Sequence, residues 1–282
     1  MKKSLVIFAN SRPLLLRSCI ESVLGAYESD NWKKVLVLQI GYQEVEDVFK
    51  EYEAQFDLAI RVKKQHQTTL GNINQNRILG TSICFDLFKS DVVLGIEEDT
   101  SIGYDSLYFV NEMCDLYRSN KSFRGVNLGS FEPNTEENRY TYSLLRYGLH
   151  GQAGALTKKS WQKFSLTELL KDIDKDGWDS RIESYLKTGF LATPNASRLL
   201  DQGWDGTHQP TDPNSPYFVN QRISWVGTKE LPIREFKRKN IQHSWRKDAK
   251  NFRRYESFIY VAKNNSFIYF FIRIIKNTLN SK

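Results

Sequence analysis

Three consecutive carboxylates, Glu97, Glu98 and Asp99, stand directly after the apolar run Val92-Val93-Leu94-Gly95-Ile96. Carboxylates packed side by side repel one another unless a cation or hydrogen-bond donors offset their charge. Hard divalent cations such as Mg²⁺ and Mn²⁺ take oxygen ligands and often bridge a carboxylate to substrate phosphates. The trio therefore suits a metal-diphosphate site. The plainer reading makes Asp99 the cap of a following helix and leaves both glutamates in solvent. Asn10-Ser11-Arg12-Pro13 and Gln39 to Tyr42 also follow apolar runs directly. His66, His150 and His243 show no metal-ligand spacing and are assigned no role.

These residues matter only if the chain brings them to one edge, and the apolar pattern indicates that it does. Ser4 to Ala9, Val35 to Ile40, Leu58 to Val62 and Val92 to Ile96 read as strands. Helical stretches separate them: Arg12 to Tyr27, the residues after Gln43, and about Asn72 to Phe88. Ser11 is a plausible N-cap for the first, with Pro13 in its first turn. Leu15, Cys19 and Val23 recur at helical spacing on one face. Such β-α-β alternation predicts an α/β fold with a mostly parallel, doubly wound sheet. Ligands of such sheets bind outside the carboxyl ends of the strands, where Asn10, Arg12, Gln39 and the acidic trio fall.

Beyond Arg124 the pattern loosens. Gly125 to Leu128 reads as a strand, and Glu132 to Arg146 as a mobile polar loop. Lys158 to Leu170 and Trp178 to Leu186 read as helical, and Pro194 to Pro216 as loop. Cys19, Cys84 and Cys114 are odd in number, widely spaced and set in apolar helical contexts. They indicate neither a zinc site nor a disulfide framework.

Val92 to Asp99, followed by an aromatic-bearing helix from Tyr104 to Tyr117, resembles the Asp-x-Asp region of glycosyltransferase-A enzymes. It is most similar to the Glu-Asp-Asp variant of animal N-acetylglucosaminyltransferase I and its bacterial, family 2-like relatives. Ser4 to Leu24, with Asn10-Ser11-Arg12-Pro13, resembles the nucleotide-binding opening of that family. Gly71 to Leu79, with Asn76 and Arg77, resembles its donor-facing helix. Gly177-Trp178-Asp179, then Ser197-Arg198, Gly203, Gly206, Thr207 and His208, resembles its Trp-Asp and Ser-Arg-x₄-Gly-x-x-Gly segment. The likeness spans roughly Ser4 to His208 and rests on the order of short motifs.

The resemblance implies a glycosyltransferase-A, Rossmann-like domain using a nucleotide-sugar donor, with a UDP-sugar favoured, and Mn²⁺ or Mg²⁺ as cofactor. It implies Asp99 as metal ligand, and Glu98 near the donor's ribose or sugar, where the family often has Asp. Asn10, Arg12, Gln39, Asn76, Arg77 and Glu97 fall on the donor side, with Ser197 and Arg198 near the diphosphate and His208 as a further donor contact. It also implies an inverting reaction with Asp179 as general base. This chain has Ser180 where the animal enzyme has a second acid, so Glu183 is the alternative base.

The chain has 282 residues and a net charge of +7. Residues 234–282 hold 13 Lys/Arg against Glu235, Asp248 and Glu256, which leaves −3 on residues 1–233. The reading is thus a catalytic domain over 1–233 and a basic aromatic helical extension over 234–282. A mildly acidic domain argues against a nucleic-acid footprint. The extension interleaves basic residues with Phe, Tyr and Ile, as membrane-surface helices do; docking on the domain or on a partner subunit is the other reading. A lipid-linked or glycan acceptor, a role in bacterial surface polysaccharide synthesis, and a cytoplasmic position on the inner membrane face are the corresponding expectations. No apolar stretch reaches the roughly 18–20 residues of a membrane span, and the N-terminal apolar run is too short for a signal peptide. The competing readings are a nucleotidyltransferase, which should carry a Gly-rich loop where Asn10 to Pro13 stands, and a non-catalytic sugar- or nucleic-acid-binding protein.

Overall fold

The alternating apolar runs become strands of one mixed sheet, seen in a computed structural model. It describes residues 1–146, 153–171, 173–174, 178–205 and 212–241. The first half runs β1 (Lys3–Ala9), α1 (Pro13–Leu24), β2 (Lys33–Gln39), α2 (Gln43–Tyr52), β3 (Leu58–Val62), α3 (Thr69–Asp86) and β4 (Val92–Glu97). The second half begins with β5 (Thr100–Ile102), α4 (Ser106–Leu116), β6 (Phe123–Asn127), α5 (Glu136–Arg139), β7 (Thr141–Leu145) and β8 (Ala153–Thr157). It continues with α6 (Lys158–Trp161), α7 (Leu166–Leu170), α8 (Trp178–Leu186), β9 (Phe190–Pro194), β10 (Leu199–Asp201), α9 (Pro216–Ser224) and β11 (Lys237–Arg238). The sheet order is β11-β7-β9-β6-β8-β4-β1-β2-β3, with β10 and β5 forming a separate antiparallel pair.

Side chains alternate across a strand, and here each face finds its own helices. Leu5, Ile7, Leu36, Leu38, Leu94 and Ile96 pack with Leu16 and Ile20 of α1, Phe49 of α2 and Val110 and Met113 of α4. Val6, Val35, Val37 and Val93 point the other way, onto Ile78 and Phe85 of α3, Trp161 of α6 and Ile182 of α8. Helix α3 approaches so closely that a Cβ at Gly80 would lie 2.8 Å from both Val6 and Val37. The central strands are buried on both faces, so they read as continuous apolar runs.

β1 is parallel to both β2 and β4. The chain leaves β1 toward β2 and β3 and then returns to place β4 on its other side. That reversal is the topological switch point, where such sheets open a crevice. β8 runs antiparallel between β4 and β6, which restores the direction of β6 to that of β4. The ends of β1, β4 and β6 therefore share one edge.

Several expectations are corrected. Ser11 does not cap α1: the N-cap is Arg12, without a side-chain hydrogen bond, and the helix begins one residue later, at Pro13, whose fixed φ suits a first turn. Residues 132–146 are not wholly loop; they hold α5 and β7, whose Tyr142 and Leu145 are buried. The short run Thr141-Tyr142-Ser143 of β7 carries polar groups that are buried or half-buried only because Asn195 bonds Thr141 and Ser143 from elsewhere in the chain. Residues 158–170 form two short helices, because Ser165 caps a new one with Glu168 in a capping box. The stretch 194–216 contains β10, paired with β5 across the sequence. The domain extends past 233: Phe236 is buried, Lys237 and Arg238 pair with β7, and the compact unit ends at Ile241. The remainder of the basic extension, 242–282, lies outside the described residues. Among the described residues no helix is long and apolar enough to cross a membrane.

Candidate active site

The three acidic residues leave β4 in different directions, and each meets a different partner. Glu97 ends the strand and pairs with Arg77 of α3. Glu98 turns inward and is buried; its N–H donates to Phe8 O at 3.1 Å. Its carboxylate accepts the N–H groups of Asn10 at 2.6 Å and Ser11 at 3.2 Å. Burial pushes its carboxyl above the ordinary range, against the opposing pull of those two N–H groups. Glu98 thus ties the loop after β1 to the turn after β4. Those bonds position the loop, and Glu98 also lines the cavity beside it.

Asp99 Oδ2 accepts from Arg12 Nη1 at 2.5 Å, and the same nitrogen lies 3.9 Å from Asp205. Asp99 Oδ1 is buried and has no hydrogen-bond partner. Burial raises the Asp99 carboxyl above its usual value; Arg12 pulls it down and Asp201 pushes it further up. The segment after β10 closes over this carboxylate. Gln202 N–H donates to Asp99 O at 2.8 Å, and Gly203 N–H donates to Asp201 Oδ1 at 2.7 Å. A Cβ at Gly203 would lie 2.3 Å from Asp99 Oδ2 and 3.1 Å from Arg12 Nη1, so only glycine fits there undisturbed.

A cavity of about 320 Å³ opens at this switch point. Asn10, Arg12, Gln39, Asn76, Arg77, Glu97, Glu98 and Asp99, all singled out from sequence, line it together. Gln39 donates to Val62 O at 2.9 Å and accepts from Asn76 at 3.5 Å, so β2, β3 and α3 share one floor. Its other wall was missed in the sequence: Lys64, His66, Gln67, Thr68 and Asn72. Asp174 organises that wall, accepting from the Thr68 hydroxyl at 2.7 Å and lying 3.4 Å from His66 Nδ1. Asn72 secures it from α3, its amide oxygen accepting the N–H groups of Gln65 and His66. The available signal was Asn72, Asn74 and Asn76 recurring every second residue in the first half of α3, where buried amides need partners.

Other residues are placed elsewhere. Arg198 is fully buried away from the cavity, 3.0 Å from Asp105 and stacked over Phe236 at 4.7 Å. Ser197, also 0% exposed, donates to Leu199 O at 2.7 Å. Neither lines the cavity; both hold the start of β10. Asp179 stands in the first turn of α8, but its side chain, like that of Glu183, lies outside the described residues. His208 lies outside them too, as do Gly177, Gly206 and Thr207.

A mixed sheet with helices on both faces and a carboxylate turn at the β1/β4 switch point defines the glycosyltransferase-A fold class. TarS of S. aureus shares this fold, with a TM-score of 0.50 and 11% identity over 71% of this chain and 36% of TarS. TarS 1–349 in complex with UDP gives a TM-score of 0.48 and 12% identity, over 70% of this chain and 59% of that one. The mannosyltransferase PcManGT from Pyrobaculum calidifontis, in complex with GDP-Man and Mn²⁺, gives 0.46 and 10%, over 70% and 58%. The chain thus spans about a third of that TarS chain and under two thirds of the other two. It matches no family model and no curated protein.

Proposed function

We propose that this protein is an inverting, divalent-metal-dependent glycosyltransferase that uses a nucleotide-sugar donor. The observation that carries the proposal is the cavity at the switch point, which gathers Arg12, Arg77 and the acidic turn. Two guanidiniums beside half-buried carboxylates suit a diphosphate with an accompanying cation. Asp99 fits the cation, since its buried Oδ1 lacks a partner. Among the described residues no group of three or more His, Cys, Asp and Glu could hold an ion unaided. A Mg²⁺ or Mn²⁺ held by one carboxylate and substrate phosphates requires no such group. When bound, the ion would neutralise charge developing on the leaving diphosphate.

The chain's own residues supply the rest of the proposed reaction. Arg12 and Arg77 offset negative charge at the phosphate end of the cavity. Gln39, Asn76 and the His66 wall offer donors and acceptors for the nucleoside. Asp179, or Glu183 as the alternative, takes the proton of the acceptor hydroxyl as that oxygen attacks the anomeric carbon and the nucleoside diphosphate departs, a contribution of about 10²–10⁴-fold. A UDP-linked hexose or N-acetylhexosamine is the donor class proposed, and a glycan or lipid-linked saccharide the acceptor. The basic extension would hold the enzyme at the inner membrane surface for surface polysaccharide synthesis.

Calorimetry of a nucleotide-sugar panel with and without Mn²⁺, on wild type and Asp99→Ala, tests this reading. Binding of one donor that requires Mn²⁺ and disappears in Asp99→Ala is the expected result. No binding of any nucleotide sugar under any metal condition would remove the proposal. Gly203→Ala offers a subtler check. The added methyl group forces Asp99 and Arg12 apart at about 1–3 kcal/mol of overpacking, so UDP affinity in Mn²⁺ should fall by about tenfold while circular dichroism stays unchanged. An unaltered affinity would mean that the 203 segment has no influence on the donor site.

A further inference from the structure

Arg12 stands between two unlike carboxylates. Asp99 has 13% of its side chain exposed and Asp205 has 54%, at 2.5 and 3.9 Å from the same guanidinium nitrogen. Arg77, the other guanidinium of the cavity, is paired with Glu97 and is 8% exposed, against 29% for Arg12. A guanidinium cannot give up its charge by losing a proton, so Arg12 frees Asp99 only by moving away, and another anion favours that move over water. Asp99 has a second oxygen, Oδ1, buried and unpartnered. A cation approaching that oxygen meets the charge of Arg12 across the same carboxylate, and charges this close repel strongly.

We propose that Arg12 competes with a divalent cation for Asp99, and that the donor diphosphate relieves the competition by taking up the Arg12 guanidinium. The inference rests on the glycosyltransferase reading above and adds a regulatory role to one residue of that site. A phosphate pair matches the guanidinium fork better than one carboxylate oxygen does, and Arg12 already lines the cavity. Transfer of Arg12 frees both oxygens of Asp99. The cation then binds tightly only with the diphosphate, and by reciprocity the diphosphate binds tightly only with the cation. Asp205 gives Arg12 a second anionic neighbour on its exposed side.

The experiment is titration of Mn²⁺, alone and then with saturating UDP, into wild type, Arg12→Gln, Arg12→Lys and the Arg12→Gln/Asp99→Asn double variant. Without UDP, Arg12→Gln should bind Mn²⁺ about tenfold tighter than wild type, and the double variant should lose that gain. Arg12→Lys keeps the charge and should stay close to wild type. UDP should tighten Mn²⁺ binding more in wild type than in Arg12→Gln. Arg12→Met removes the charge at similar volume and replaces Arg12→Gln if the latter does not fold. Unchanged or weaker Mn²⁺ affinity in the neutral variants, with UDP and Mn²⁺ still binding wild type, overturns the competition and leaves the proposed function standing. Failure of wild type to bind Mn²⁺ even with UDP overturns both.

Discussion

Asp99→Asn is expected to lower turnover by about 10²–10³-fold, the scale on which one charge-stabilising group acts in a water-poor site. Asparagine keeps the volume of the side chain, so the Gln202 N–H bond to the backbone and the fit of Gly203 survive. What is lost is the carboxylate charge that Arg12 neutralises and that a divalent cation requires. Glu97→Gln is the informative contrast. Glu97 lies on the same turn and pairs with Arg77, but its loss should cost about tenfold or less, because an amide oxygen still accepts from the guanidinium. Steady-state kinetics with the donor identified by calorimetry, over a range of Mn²⁺ concentrations, measures both. Asp99→Asn turnover within tenfold of wild type would show that the acidic turn is structural, with the chemistry elsewhere.

The second large effect concerns stability. Arg198→Met should destabilise the domain by about 3–5 kcal/mol, because it leaves Asp105 as a buried charge without its partner. Arg198 is 0% and Asp105 1% exposed, and the guanidinium also donates to Ala196 O at 2.8 Å and to Arg139 O. At about 2–4 °C per kcal/mol for a domain of this size, the midpoint of thermal unfolding should drop by roughly 6–20 °C. Arg198→Met combined with Asp105→Asn should cost much less than the sum of the single changes, since the two residues share one interaction. UDP affinity measured well below the transition should remain near wild type. A variant with normal melting and lost UDP binding would return Arg198 to the donor site, as resemblance implied.

That contrast shows where sequence reading reaches and where it stops. Strands buried on both faces, such as β2 and β4, announce themselves as apolar runs, and the half-exposed edge strand β3 is still read from Leu58 to Val62. β8 and β9 carry no such signal: Ala153-Gly154-Ala155-Leu156-Thr157 is short and built largely of small residues, and Phe190 to Pro194 ends in Thr193-Pro194. The acidic turn is legible because three adjacent carboxylates at a strand end demand compensation. Its partners are not, because they lie far off in the chain. Asn10 and Ser11 satisfy Glu98 from 88 and 87 residues away. The ion pair of Arg198 is hidden for the same reason: its partner Asp105 lies 93 residues earlier. Likewise His66 gained meaning only when Asp174, 108 residues later, was seen beside it.

The pairing of β10 with β5 also bears on how the chain assembles. β1, β2 and β3 join through short crossovers and form from local contacts, which are quick to find. The turn after β4 is different: Leu199 pairs with Ile102, and Gln202 reaches Asp99, only after about a hundred further residues exist. During synthesis β1, β2 and β3 can therefore pair early, while the His66 wall waits for Asp174 and the turn after β4 waits for β10. Truncation before β10 would yield a chain with most of its hydrophobic centre and no closed carboxylate turn, the kind of partly finished species that domains of this length pass through as intermediates.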